Sequence, residues 1–212
     1  MKIYLLDRNL EMFLEWEAQF ADCPEVDVVM DDFSHFMSNH KIQCVVSPAN
    51  SYGFMNGGYD KAITDYFGTE LMDAVQQYII ENFFGEQPVA TSFIIDIPGK
   101  TESEPGYISN AESDTSPGSN PAISSDSAVI PQNTQKLIHT PTMRTPSKIR
   151  EPEVIYQCMR TTLMTAIRNN IESLVIPAFG GATGQVPYRT IAKLMKLGYR
   201  QIMEQYQPDS VH

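Results

Sequence analysis

Short β-branched runs and longer amphipathic stretches alternate along this chain, and that alternation restricts it to a layered α/β architecture. Ile3 to Leu6, Val26 to Met30 and Cys44 to Ser47 read as strands. Between the first two, Leu10 to Phe20 puts Leu10, Phe13, Leu14 and Glu17 on one side at helical spacing, with Asn9 available as an N-cap. A longer helical pattern runs from about Tyr59 to Phe84, and Val89 to Ile97 reads as a strand ending at Pro98-Gly99. Leu137 to His139 is a short strand, Val154 to Asn169 a helix opened by Pro152, Leu174 to Ile176 a buried strand, and Tyr188 to Gln205 a closing helix. Six strands with helices between most of them indicate an α/β/α layered fold.

The length, 212 residues, suits one domain with its own core, expected over residues 1–208. From Thr101 to Asn133 the chain is rich in Ser, Pro, Gly, Asn and Asp with no sustained period, so it reads as a long loop insertion. It is either a functional cover or a tolerated excursion. The 15 Lys and Arg against 26 Asp and Glu leave a net charge of −11, and no basic cluster exists to grip a nucleic-acid backbone. No apolar run approaches the roughly 18 residues of a membrane span, and the N-terminus lacks a secretory core. The expectation is a cytoplasmic monomer with neither nucleic acid nor membrane as partner. Cys23, Cys44 and Cys158 are widely spaced and expected to be reduced and mostly buried.

Two glycine-bearing loops each follow a strand and precede a helix: Pro48 to Gly58 after Ser47, and Pro177 to Pro187 after Ile176. In an open α/β sheet both lie at the carboxyl ends of strands, where ligands bind. Glycines let the backbone approach a ligand, and the following helix adds its positive end, which makes a phosphate cradle without lysine. Spacing excludes better-known motifs. A dinucleotide fingerprint needs Gly where Phe179 stands, neither loop has a Gly-Lys-Ser/Thr ending, and no Gly-x-Ser-x-Gly or His-Glu-x-x-His occurs.

The stretch Asn50 through Asp60 resembles the first ligand loop of macrodomains, Asn-Ala-Ala-Asn, then Ser, a variable stretch, a glycine run and Val-Asp-x-Ala-Ile. The second Asn of that pattern falls on Asn50 and the Asp on Asp60. The family's second loop is similar to Pro177-Ala178 and Gly181 to Gly184 with one extra residue. Its Gly-Asp-Ile is similar to Asp31-Asp32-Phe33, and its Ile-His strand to Ile138-His139. The resemblance spans about residues 26 to 205.

The resemblance implies a three-layer α/β/α sandwich around a mixed six-stranded sheet, and an ADP-ribose pocket. It implies that Asp32 accepts a hydrogen bond from the adenine amino group beside the Phe33 amide; Asp32 also reads as the N-cap of a short helix, Phe33 to Asn39. Asn50 is implied to orient the distal ribose, against the alternative of an Asx-turn. Gly57, Gly58 and the stretch Phe179, Gly180, Gly181, Ala182, Thr183 and Gly184 are implied to hold the ligand, chiefly through backbone amides on the diphosphate. Asp60 and Asn50 are the implied catalytic pair, Asp60 as general base, against the alternative of a first-turn carboxylate facing a helix dipole. No cofactor and no metal is implied.

Three departures stand out. Ser47 replaces the first Asn, Gly57-Gly58 is all that remains of the glycine run, and Thr183 replaces an aromatic that covers the distal ribose, leaving Phe179 or Tyr52 to supply a ring. Arg144, between Pro141 and Pro146, reads either as a rigidly held anion contact or as a surface residue, and His139 as a packed histidine. Three activities stay open: hydrolysis of an ADP-ribosyl linkage on a protein or small derivative, non-catalytic binding of ADP-ribose or a related NAD-derived signal, and removal of phosphate from ADP-ribose 1″-phosphate.

Overall fold

The computed structural model describes residues 1–98 and 135–204. The chain runs β1 (Lys2–Asp7), α1 (Leu10–Phe20), β2 (Val26–Met30), α2 (Phe33–Asn39), β3 (Cys44–Ser47), α3 (Gly58–Phe67), α4 (Glu70–Phe83), β4 (Phe93–Asp96), β5 (Lys136–His139), α5 (Glu153–Arg168), β6 (Ser173–Ile176) and α6 (Tyr188–Tyr199), closing in a π-helical turn, Arg200–Glu204. The low-complexity segment Thr101 to Asn133 lies outside the described residues.

Among the described residues the strands form one sheet in the order β2-β1-β6-β3-β5-β4, parallel except for β4, which runs antiparallel to β5. Helices cover both faces, so the strands bury alternate residues on opposite sides and read as nearly continuous apolar runs. Ile3, Leu5, Leu174 and Ile176 face a layer made by α1, α5 and α6, with Trp16, Met159, Leu163 and Tyr199 among its buried residues. Leu6, Val45, Leu137 and Val175 face α2, α3 and α4, against Phe33, Phe36, Ile63, Leu71 and Ile79. Trp16 is wholly buried, and its truncation to Ala costs about 3–5 kcal/mol. The sandwich with a mixed six-stranded sheet is the architecture expected.

Several local expectations are corrected. The buried stripe of α1 is Met12, Trp16 and Phe20, whereas Leu10 and Leu14 are 58% and 56% exposed. Both stripes have helical spacing, but this one carries the larger rings, and the other would have to desolvate Glu17. The stretch Tyr59 to Phe84 is two helices, because Gly68 adopts φ +108° and closes α3 with its N–H on the Thr64 carbonyl at 2.9 Å. Strand β4 starts late because Thr91 N–H turns back to the Pro88 carbonyl at 3.2 Å. Cys23, Cys44 and Cys158 are free and buried. Among the described residues no helix is long and apolar enough to cross a membrane.

Candidate functional site

Parallel pairing of β2, β1, β6, β3 and β5 brings their carboxyl ends to one edge of the sheet, so the loops that follow them share one rim. Two clefts open there. A larger one, about 550 Å³, is bounded by Asp7, Arg8, Asp32, Phe33, Tyr59 and Tyr188. A smaller one, about 230 Å³, lies against Asn50, Phe54, Asp60, Met143 and Gly180 to Gly184. Gly58, Tyr59, Ala178, Gly181 and Ala182 line both, so the clefts are two halves of one groove with a waist. A methyl built on Gly58 would stand 4.0 Å from the Ala182 Cβ, and Gly58 has φ +56°, a conformation only glycine adopts readily.

The waist is rich in unused backbone donors. Gly57 caps α3 without a side-chain bond, so the N–H groups of Gly58 and Tyr59 at the start of that helix have no side-chain cap among the described residues. Opposite, Gly181, Ala182, Thr183 and Gly184 donate their N–H groups to no carbonyl among the described residues. Their loop is pinned by other bonds, from Val186 N–H to the Gly180 carbonyl at 3.1 Å and from Ile149 N–H to the Gly184 carbonyl at 3.0 Å. Gly184 must be glycine for a different reason: a Cβ there would sit 2.6 Å from the Gly180 carbonyl oxygen. Helix end and loop together offer main-chain donors of the kind that can hold an anion.

In the larger cleft Asp32 caps α2, accepting from Ser34 N–H at 2.9 Å, and Phe33 is buried edge-on against Tyr59 with ring centroids 5.2 Å apart. Asp31 pairs with His35 at 2.7 Å, which holds its carboxyl below the usual range, while burial pushes Asp7 up. Asp7 and Arg8 were not singled out from sequence, and Asn9 was read only as the cap of α1. Asp7 ends β1 and Arg8 and Asn9 follow it, and all three reach the groove because β6 brings the second loop alongside β1. Among the described residues lining the groove, Arg8 is the one cation. The Tyr59 hydroxyl is buried without a hydrogen-bond partner among the described residues, and burial holds it protonated.

In the smaller cleft Asp60 is 9% exposed and accepts from Ser47 Oγ at 2.6 Å. Burial pushes its carboxyl up to about 7, against the opposing effect of the Ser47 bond. Asn50 forms the Asx-turn: its Oδ1 accepts from Tyr52 N–H at 3.1 Å and Phe54 N–H at 3.4 Å, and its Nδ2 donates to the Phe54 carbonyl at 3.1 Å. Asn50 therefore braces the loop while also lining the cleft.

Neither Phe179 nor Tyr52 brings a ring into the groove. Phe179 is 0% exposed, packed into the core against the α5 and α6 layer, so it offers the groove no ring. Tyr52 donates to Glu86 at 2.9 Å and lies under the Arg144 guanidinium, 5.6 Å from its ring centroid, outside both clefts. Arg144 holds Glu86 through two bonds, 2.5 and 2.9 Å, and clamps the segment after β5 rather than reaching the groove. The exposed ring that lines the smaller cleft is Phe54, 50% exposed. A large apolar residue next to glycine in a ligand loop is the sequence signal for it. His139 is packed, with Nδ1 on Gln87 at 2.6 Å and its pKa depressed by burial to about 3. Among the described residues no group of three His, Cys, Asp or Glu side chains is placed to hold a metal ion.

A family model described as Macro domain matches residues 81–195, and one described as Macro-like domain matches residues 25–105. The Oceanobacillus iheyensis macrodomain with ADP is 17% identical, with a TM-score of 0.55 over 79% of this chain and 73% of that one. A mutant of that macrodomain with ADPR is also 17% identical, with a TM-score of 0.54 over 79% and 74% of the two chains. The macrodomain of Mycobacterium tuberculosis DarG is 14% identical, with a TM-score of 0.52 over 77% of this chain and 84% of that one. No curated protein matches the sequence. At such identities the structural likeness is one of fold.

Proposed function

Because the chain belongs to the macrodomain family, we propose that it is a single macrodomain over residues 1–208 that binds ADP-ribose in the groove and hydrolyses an ADP-ribosyl linkage there. The single observation that carries this reading is the nearly buried Asp60 carboxyl on the wall of the smaller cleft, beside the main-chain donors of the waist. A carboxyl raised to about 7 is divided between acid and base near neutral pH, the poise a proton acceptor needs.

On this reading the diphosphate lies at the waist, held by the first amides of α3 and by Gly181 to Gly184. The adenine takes the larger cleft, beside Asp32 and Phe33, and the distal ribose takes the smaller one, beneath Phe54. Asn50 supports the ribose site through the loop that it braces. In the reaction a water gives a proton to the Asp60 carboxylate as its oxygen bonds to the anomeric carbon. The bond from that carbon to the leaving group breaks, and the leaving group departs with the electron pair. Positive charge on the sugar in the transition state is stabilised by the same carboxylate. Because the base must be ionised, turnover rises as pH passes upward through about 7.

Asp60→Ala is expected to keep ADP-ribose binding and lose turnover of an ADP-ribosylated protein; equal turnover by the variant removes Asp60 from the mechanism. A second reading, binding without hydrolysis, is favoured by Asn50, whose amide is committed to Tyr52 and Phe54 instead of standing free for a sugar. Under that reading neither ADP-ribosylated protein nor ADP-ribose 1″-phosphate is consumed by the wild-type chain.

A further inference from the structure

Ser47 ends β3 and is 0% exposed, a hydroxyl at the end of a strand whose other residues, Cys44, Val45 and Val46, are apolar. A buried hydroxyl has to be paired, and its side-chain partner is Asp60, whose Oδ1 it reaches at 2.6 Å. Ser47 belongs to the sheet and Asp60 to the first turn of α3, so this bond ties the floor of the groove to the helix end that lines it. Oδ2 of Asp60 accepts from no side chain among the described residues, and Asp60 lines the smaller cleft.

We propose that Ser47 is a positioning residue for Asp60, fixing Oδ1 so that Oδ2 is left as proton acceptor for a molecule in the smaller cleft. The proposal rests on the reading of Asp60 as the group that takes a proton from water. Fixing one oxygen matters because a freely rotating carboxylate would present its acceptor in many directions, and misplacement costs rate. A donated hydrogen bond also favours the charged form and offsets part of the burial.

Among the described residues Ser47 is the side chain that acts on the Asp60 titration, opposing the larger effect of burial. Tyr59, its neighbour on α3, is held protonated by burial. His139, which pairs with Ser47 across β3 and β5, is held neutral. The facing segments that line the smaller cleft, Thr142 to Met143, Pro146 and Gly180 to Gly184, carry no charged side chain. Asp7 and Arg8 stand in the larger cleft.

The test is Ser47→Ala in the full chain, read by carboxyl-carbon NMR of Asp60 without ligand. Losing one charge-assisted hydrogen bond moves the titration midpoint up by roughly one pH unit. The pH profile of kcat moves with it and KM stays unchanged, a split that a tie between β3 and α3 alone would not produce. Ser47→Cys keeps the size with a weaker donor and gives an intermediate shift, so it carries the test if the Ala variant does not fold. An Asp60 titration that is unmoved in the folded variants overturns the proposal. A titration that moves in a wild-type chain and variants without turnover upholds the positioning and defeats the hydrolytic reading instead.

Discussion

Replacing Asp60 with Asn should make the protein more stable above neutral pH, because the native fold holds this carboxyl where its charged form is disfavoured. Its pKa rises from the ordinary 3.8 to about 7 on folding, so the native state keeps a proton that the unfolded chain releases. With more protons bound in the native state, stability falls as pH rises from about 4 through about 7 and is level above that. Over the full window this group removes at most about 4 kcal/mol, and between pH 5 and the plateau about 3 kcal/mol. Asn has the same shape, still accepts from Ser47, and has no such slope. Urea unfolding of wild type and Asp60→Asn at pH 5 and pH 8 should therefore show the variant gaining about 3 kcal/mol relative to wild type. All other titrating groups are common to both proteins and cancel in the difference. A gap that is the same at both pH values would refute the reasoning, since it would mean that Asp60 titrates alike in the folded and unfolded chains. A carboxylate that destabilises its own fold is expected where function requires it.

Gly184→Ala should abolish ADP-ribose binding and lower stability by about 1–3 kcal/mol, since the new methyl meets a backbone carbonyl that cannot swing aside; calorimetry and thermal unfolding check the two halves. Arg8→Gln should weaken ADP-ribose binding several-fold at low salt and much less at high salt, because its guanidinium is exposed and screened. An affinity equally low at both salt levels would argue for lost packing instead. His139 should show no ring titration between pH 5 and pH 8 by nitrogen NMR, since burial depresses its pKa to about 3 and keeps the imidazole neutral; a midpoint near the ordinary value would place it in contact with water.

Much of the fold was legible because its signals are local. Asn9 caps α1 by accepting from Glu11 and Met12 N–H, and Asp32 caps α2 in the same way, so both helices begin where the sequence says they do. The strands announced themselves as β-branched runs, and the two glycine loops fell at the right ends of β3 and β6. Which face of α1 is buried was not legible, since two apolar stripes compete and only packing against α6 and the sheet decides. Gly68 inside a helical pattern gave no sign that it would take φ +108° and split it. The site was half readable for the same reason. Asn50, Asp60 and the glycines carry a spacing, whereas Asp7 and Arg8 enter the groove only because β6 lies between β1 and β3, a fact of topology. Ser47 stood out as a departure, yet its partnership with Asp60 needs the three-dimensional fold. Phe179 misled because an aromatic beside Gly180 reads as a ligand cover, while the turn of the backbone sends its ring into the core.

The proposed function depends on the groove taking ADP-ribose. Calorimetric titration of the purified chain with ADP-ribose, and separately with AMP, tests that most directly. One ADP-ribose should bind per chain, and AMP, lacking the second phosphate and the distal ribose, should bind more weakly because it leaves the smaller cleft and part of the waist empty. An absence of binding to ADP-ribose, or equal affinity for the two ligands, would contradict the account.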